Sequence, residues 1–149
     1  MRMTSIIAPV LLGLTVGCSA DKTPTSPDAG GLNLTGTWNG PIVVDSGEAR
    51  MSWNLTQLNA VVSGPVTVLL PNGVVLMNGF LSGTLSGVTL PYTISVGMGG
   101  VPSRPTCAGQ LAGTMTVTVA PTSSLRGPMG VSSSNCTPPF DASTITLTR

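Results

Sequence analysis

Few side chains in this sequence could take part in covalent or metal chemistry. Cysteine occurs at three positions, Cys18, Cys107 and Cys136, and histidine does not occur. Without histidine, neither a Ser-His nor a Cys-His nucleophilic pair can be assembled. Two or three cysteines alone also do not complete the usual ligand set of a zinc site. We therefore predict no metal and no cofactor, and expect the thiols to be modified or bonded to each other.

The carboxylates offer one arrangement that could be catalytic. Asp45 and Glu48 are close in sequence, and a pair of carboxylates can hydrolyse a glycosidic bond. Both flank a predicted hairpin turn with Arg50 nearby as a counter-charge, so we interpret them as solvated turn residues. The glycine-rich segment 97–100 resembles a phosphate-binding loop only superficially, because no lysine and no helical pattern follow it. We predict no catalytic residue and no enzyme activity.

The first twenty residues have the layout of an export signal. Arg2 precedes an apolar run over residues 6–16, which is shorter than the roughly 20 residues needed to span a bilayer. The run leads into Val-Gly-Cys-Ser-Ala at positions 16–20. A basic start, a short apolar run and small residues are typical of a secretory signal peptide.

This segment resembles the signal of bacterial lipoproteins, whose lipobox ends in a small residue followed by cysteine. The resemblance implies that residues 1–17 are removed and that the thiol of Cys18 is acylated. It departs from the family at Thr15, where leucine is preferred, although Leu14 lies one position earlier. The alternative is an ordinary secretory signal cut near Ala20, which would discard Cys18 with the peptide.

The segment that follows predicts where the protein is held. Ser19 occupies the position at which an aspartate would retain such a protein at the inner membrane, so the resemblance favours the outer membrane or the cell surface. Residues 18–31 are rich in Asp, Thr, Pro, Ser and Gly and are expected to form a flexible tether. The membrane is then a partner through the N-terminal lipid.

The other two cysteines are predicted to form a disulfide. If Cys18 carries lipid, Cys107 and Cys136 remain as an even pair in a compartment where disulfides persist. Such a bridge contributes roughly 3–4 kcal/mol in the loop-entropy model. A redox or metal role for the pair is the alternative, and the lack of histidine argues against the metal.

Composition indicates one β-rich domain over residues 32–149. The chain of 149 residues is 41% hydrophobic and 7% charged, with a net charge of +1. Valine and threonine are abundant, which favours strands. A nucleic-acid partner is not expected, because it requires a basic surface.

Short apolar-alternating runs divided by turn residues predict about eight strands. The runs cover residues 34–44, 49–57, 61–70, 74–85, 89–96, 108–119, 125–132 and 143–148. Asn72-Gly73 between two of them is the strongest hairpin signal in the chain. No useful helical period follows the signal segment.

A recurring glycine favours a closed sheet. The pattern apolar, any residue, Gly, Thr or Pro, apolar places Gly36, Gly64, Gly83, Gly113 and Gly127 on the same face as their apolar neighbours. Glycine on a core face allows a strand to coil sharply or another backbone to approach. We predict an all-β fold, a single antiparallel up-and-down barrel; a β-sandwich is the alternative.

Residues 34–38, Leu-Thr-Gly-Thr-Trp, resemble the opening strand of avidin-like and lipocalin-like barrels. In those folds the tryptophan closes one end of the barrel, and the resemblance implies that role for Trp38. Avidin-type biotin sites are walled by several tryptophans, whereas Trp53 is the only other one in this chain. Biotin binding is therefore not predicted.

Two functions compete for such a domain. A hollow barrel would bind a small apolar ligand. The side chains expected to face that ligand are Met51, Trp53, Leu55, Leu81, Met115 and Val117. A filled barrel would instead be a structural or interaction protein of the envelope, meeting a partner protein through its Thr/Ser-rich outer face and the 97–105 loop.

Overall fold

A computed structural model describes residues 31–138 and 141–149 of the chain. Over these residues the chain forms eight β-strands. In chain order they are β1 (Gly36–Val44), β2 (Gly47–Leu58), β3 (Val61–Leu69), β4 (Val75–Thr84), β5 (Thr89–Val96), β6 (Gly109–Thr118), β7 (Ser124–Ser134) and β8 (Ser143–Thr148). Each strand coincides with one of the eight predicted runs, so the periodicity of two was a sufficient guide to the elements.

The strands form one closed antiparallel barrel in which each strand pairs with its neighbours in sequence. The predicted up-and-down barrel is thereby confirmed. The sandwich alternative is wrong, because β1 also pairs with β8, with Asn39 opposite Thr148. Within the part of the chain that the structure describes, no helix is long and apolar enough to cross a bilayer.

Alternating side chains separate an apolar interior from a polar exterior. On β2 Met51, Trp53 and Leu55 are buried, while the residues between them are polar. On β8 Ile145 and Leu147 point inward between threonines. Successive side chains of a strand face opposite sides of the sheet, so one face of every strand contributes to a single core. Each large aliphatic side chain buried there stabilises the fold by roughly 1.5–3 kcal/mol.

The inward glycines let neighbouring strands approach closely. A Cβ atom added to Gly64 on β3 would overlap the carbonyl oxygen of Asn54 on β2. Gly83, Gly113 and Gly127 likewise lie against the backbone of an adjacent strand. Gly36 differs from these four, since it begins β1 with a φ of 135°. A β-sheet of eight strands closes only if it coils strongly, and side chains at these points would prevent it.

The hairpin signal also marks a real turn. Gly73 has a φ of 81°, a backbone conformation that glycine adopts without steric cost. Its amide donates to the carbonyl of Leu70 at 2.9 Å, and the amide of Val74 donates to the Asn72 side chain at 3.0 Å. The turn between β3 and β4 therefore follows the local chemistry of Asn-Gly.

Up-and-down order sorts the connections onto two ends of the barrel. The start of β1, the turns at 59–60 and 85–88, the 119–123 loop and Arg149 lie at one end, called here the amino-terminal end. The turns at 45–46 and 70–74, the 97–108 loop and the connection between β7 and β8 lie at the other. We call it the disulfide end, for the bridge described below. The two ends of the barrel therefore differ in their connections.

Candidate functional site

The disulfide end is built around the predicted bridge, which is present. Cys107 and Cys136 are bonded, with their Cα atoms 5.7 Å apart and a separation of 29 positions in sequence. The bridge joins the 97–108 loop to the chain that leaves β7. Two connections that are distant in sequence thereby become one surface.

Side-chain hydrogen bonds hold the same two segments together. The amide group of Asn135 accepts from the backbone N–H of Ala108 at 2.8 Å and donates to the carbonyl of Thr106 at 3.1 Å. The guanidinium of Arg104 donates to the carbonyl of Thr137 at 2.6 Å. A loop with such partners is preorganised, because its backbone polar groups are satisfied by fixed neighbours.

An open groove of about 580 Å³, with a mixed polar and apolar lining, runs beside these loops on the outer face. Ser95, Gln110 and Ser133 lie opposite one another across β5, β6 and β7 and form its floor. The register of β6 and β7 shifts between Gln110 and Leu111, and such irregularities redirect side chains at the rim of a barrel. No lining side chain is charged: serine, glutamine and asparagine side chains lie beside Val96 and Ala108.

A small apolar cavity of about 30 Å³ lies beneath the same loops. Its walls include Met77, Leu111 and Val131 from the strands and Val101 and Cys107 from the loop. This volume accommodates a water molecule or a methyl group, whereas sites for small molecules measure roughly 300–1,000 Å³. In this conformation the cavity is too small for a lipid or a cofactor.

All six residues predicted to face a ligand point into the barrel. They are Met51, Trp53, Leu55, Leu81, Met115 and Val117, and all belong to one buried cluster. The first five are at most 1% exposed. Sequence analysis therefore placed these side chains on the correct face, and in the structure they pack against one another rather than around an open space.

Two buried side-chain polar atoms in the described residues have no partner, Trp53 Nε1 and Ser143 Oγ at the start of β8. The Nε1–H of Trp53 is buried and makes no hydrogen bond within the described part of the chain. An unpaired buried donor costs roughly 1–3 kcal/mol. The indole packs edge-on against Tyr92, with ring centroids 5.0 Å apart, so it is held in place by an aromatic neighbour instead.

Tyr92 is an interior residue that sequence analysis missed. Its hydroxyl donates to the carbonyl of Pro128 on β7 at 3.1 Å, and burial raises the pKa of the phenol well above its usual range. The available signal was its position, since Tyr92 alternates with Leu90 and Ile94 along a predicted strand. The ring fits because glycine, at Gly83 and Gly113, stands opposite it on both neighbouring strands.

Trp38 is the third residue of β1 and lies near the amino-terminal end. Its side chain is buried and its Nε1–H donates to the carbonyl of Leu34 at 2.8 Å. The guanidinium of Arg149 stacks 4.8 Å from the centre of the indole ring and also donates to the carbonyl of Thr35 at 2.8 Å. These contacts close that end of the barrel.

The remaining predicted positions are simple to place. Asp45 and Glu48 are exposed at the turn between β1 and β2, as expected for solvated turn residues. Cys18, the signal segment 1–17 and the tether before Gly31 lie outside the described residues, so lipidation remains a prediction.

Comparison of this chain with protein-family models, with curated proteins and with solved structures gave no match. Its function must therefore be argued from its own residues.

Proposed function

We propose that this protein is a lipid-anchored envelope protein that presents the disulfide end of its barrel to a partner in the cell envelope. The observation that carries this proposal is the difference between the two ends of the barrel. The chain begins its first strand at the amino-terminal end, where a lipid on Cys18 would tether it. The disulfide-linked loops and the groove lie at the opposite end.

The chemistry of the groove suggests the kind of partner. Hydroxyl and amide groups of Ser95, Gln110, Ser133 and Asn135 line it, and no charged side chain is among its lining residues. Loops that are already held by a disulfide and by hydrogen bonds lose little conformational freedom when they bind a partner. We therefore propose a neutral, hydrogen-bonding segment of an envelope protein as the partner.

The anchor is tested by the intact mass of the protein extracted from native membranes. A chain that begins at Cys18, with the added mass of acyl chains and two hydrogens missing at Cys107 and Cys136, supports the proposal. A chain that begins after Ala20 without lipid overturns the anchor.

The partner surface is tested by photo-crosslinking in cells. A crosslinking residue at Gln110, in the groove, is compared with one at Thr116, which faces outward on the same strand near the amino-terminal end. Capture of one defined envelope protein from position 110 and not from position 116 supports the proposal. Equal capture from both positions, or none from 110, argues against it.

A second candidate function is favoured by the unpaired Trp53 donor. An apolar ligand with one acceptor oxygen would satisfy Nε1–H if it entered the barrel interior. The interior contains Met51, Met77, Met115 and Met129, and methionine adapts its shape readily. Entry requires these side chains and the 97–108 loop to move.

This candidate is tested with a fluorescent fatty-acid probe and the purified protein. Binding that weakens about threefold to tenfold in Trp53→Phe, as expected for one hydrogen bond, supports it. Thr56→Ala, a substitution at an exposed position of the same strand, is the matched control. A protein that takes up no probe eliminates the candidate.

A further inference from the structure

Four aliphatic side chains are exposed together at the amino-terminal end. Leu58 ends β2 and Val61 begins β3, on opposite sides of a two-residue turn. Val88 lies in the turn before β5, and Val119 directly follows β6. All four are more than half exposed. We call Leu58, Val61, Val88 and Val119 the apolar rim.

Backbone hydrogen bonds join these turns into one continuous surface. The amide of Leu85 donates to the carbonyl of Ala60 at 2.7 Å, which links the β2–β3 turn to the β4–β5 turn. The amide of Val117 donates to the carbonyl of Val88 at 2.8 Å, which links the latter turn to the end of β6. The apolar rim is therefore an arc with a fixed shape.

Charge is distributed unequally between the two ends. The acidic side chains within the described ranges, Asp45, Glu48 and Asp141, all belong to connections or strand starts at the disulfide end. There the three carboxylates outnumber the two cations, Arg50 and Arg104, whereas at the amino-terminal end the charged side chains are Arg126, the third residue of β7, and Arg149. The apolar rim thus shares its end of the barrel with cations and with no acidic side chain of the described part.

Apolar exposure alone does not single out this end. Val43, Val74 and Met98 are also exposed at the disulfide end, and Phe80 is exposed midway along β4. Val43 lies directly opposite Glu48 in the β1–β2 ladder. A carboxylate beside an apolar side chain opposes contact with an anionic membrane surface, so only the amino-terminal end combines exposed aliphatic groups with a favourable charge.

The chain length before the barrel limits the distance to the membrane. Residues 18–30 span at most about 45 Å even when fully extended, and they join the barrel at the amino-terminal end. We propose that the apolar rim rests on the anionic phospholipid surface in which Cys18 is anchored, with Arg126 and Arg149 facing the lipid phosphates. The proposal builds on the lipid anchor of the proposed function and fixes the orientation of the barrel.

Two labelled variants of the full, lipidated protein test the orientation. A thiol-reactive fluorophore is placed on Val88→Cys, in the apolar rim, or on Val74→Cys, at the disulfide end; the two positions are 53% and 54% exposed. The native bridge and the acylated Cys18 leave the new thiol as the reactive one. Each variant is reconstituted in vesicles of phosphatidylethanolamine and phosphatidylglycerol that contain a spin-labelled phospholipid.

We expect the label at position 88 to be quenched by the spin-labelled lipid and the label at position 74 to remain unquenched. Arg126→Gln should lower the ratio of quenched to unquenched label at position 88 about fivefold on anionic vesicles. Replacing phosphatidylglycerol with phosphatidylcholine should act in the same direction. Equal quenching at both positions, or none at position 88, overturns the proposal.

Vesicle flotation separates this inference from the anchor on which it rests. Protein that floats with an unquenched label at position 88 retains the lipid anchor but does not dock its rim. If the protein proves to carry no lipid, the same labelled protein is mixed with the vesicles: quenching at position 88 alone then supports the rim, and its absence rejects both proposals.

Discussion

Two aromatic residues determine the character of the barrel interior. Trp53 and Tyr92 contact each other edge-on, but their polar groups differ in hydrogen bonding. The phenol reaches a backbone carbonyl on β7, while the indole N–H has no partner among the described residues. Among the buried side-chain polar atoms of the described residues, Trp53 Nε1 and Ser143 Oγ are the two without a partner.

Tyr92 makes the stability of the protein sensitive to alkaline pH. Burial raises the pKa of the folded phenol above the ordinary value of about 10. Stability should be fully present below pH ~10 and fall at higher pH by about 1.4 kcal/mol per unit, because only the unfolded chain releases the proton. Urea unfolding across this pH range measures the slope, and phenolate absorbance reports the single tyrosine directly.

Tyr92→Phe is the matched control for this slope. The substitution removes the ionisable group and the hydrogen bond but keeps the ring, so stability at neutral pH drops while the alkaline slope disappears. Phenolate absorbance that appears near pH ~10 in the folded protein would contradict the prediction.

Gly64 should tolerate no side chain. Alanine there would drive its Cβ into the Asn54 carbonyl on the neighbouring strand, and such overpacking costs about 1–3 kcal/mol. Gly130→Ala on β7 is the control, since its Cβ would meet only the Ala142 Cβ at 3.6 Å. Denaturant unfolding should show a clear loss for Gly64→Ala and almost none for Gly130→Ala; similar losses for both would refute the close-approach explanation.

At the scale of elements, the strands and the loops have different origins. Each strand is specified by its own alternation, and the Asn72-Gly73 turn by its own backbone preference, so both could be predicted locally. The 97–108 loop is held by partners far along the chain, Asn135 and the Cys136 bridge. The disulfide could be predicted because two cysteines remain once Cys18 is assigned to the lipid. The hydrogen bonds could not, because no local pattern reveals which distant backbone group a side chain will contact.

Removing the bridge tests how far it controls that loop. Replacing Cys107 and Cys136 together with alanine should lower the free energy of unfolding by roughly 3–4 kcal/mol. Hydrogen exchange should accelerate in residues 97–108 and stay slow in β2 and β3. Reductant should destabilise the unmodified protein and leave the variant unchanged. Equal denaturation midpoints for the variant and the unmodified protein would show that the hydrogen bonds alone suffice.

At the scale of the whole molecule, closure depends on the contact between the first and last strands. The β1–β8 ladder has one registered pair, whereas β7 and β8 share six. Arg149 supplements this junction, since it follows β8 and contacts Thr35 and Trp38 near the start of β1. The contacts of Arg149 that cover the amino-terminal end therefore also support the junction between β1 and β8.

Arg149→Gln should weaken that closure. The loss of the contact with the Trp38 ring lowers the free energy of unfolding by about 1 kcal/mol and should speed hydrogen exchange in β1 and β8 before other strands. Arg126→Gln, an exposed arginine away from the junction, is the control and should have little effect on stability. If the two variants unfold at the same denaturant concentration, Arg149 does not contribute to closure.

The sequence by itself determined the class of fold, the eight strands, the inward faces and the pairing of Cys107 with Cys136. The alternation of apolar and polar residues is a local property, and the number of cysteines can be counted. The choice of a barrel over a sandwich was decided by the tertiary structure, through the pairing of β1 with β8. The packing of Trp53 against Tyr92 and the braced loops were decided in the same way. The apolar rim also required the fold, since its four residues are scattered along the chain and share one end of the barrel only after the strands have closed.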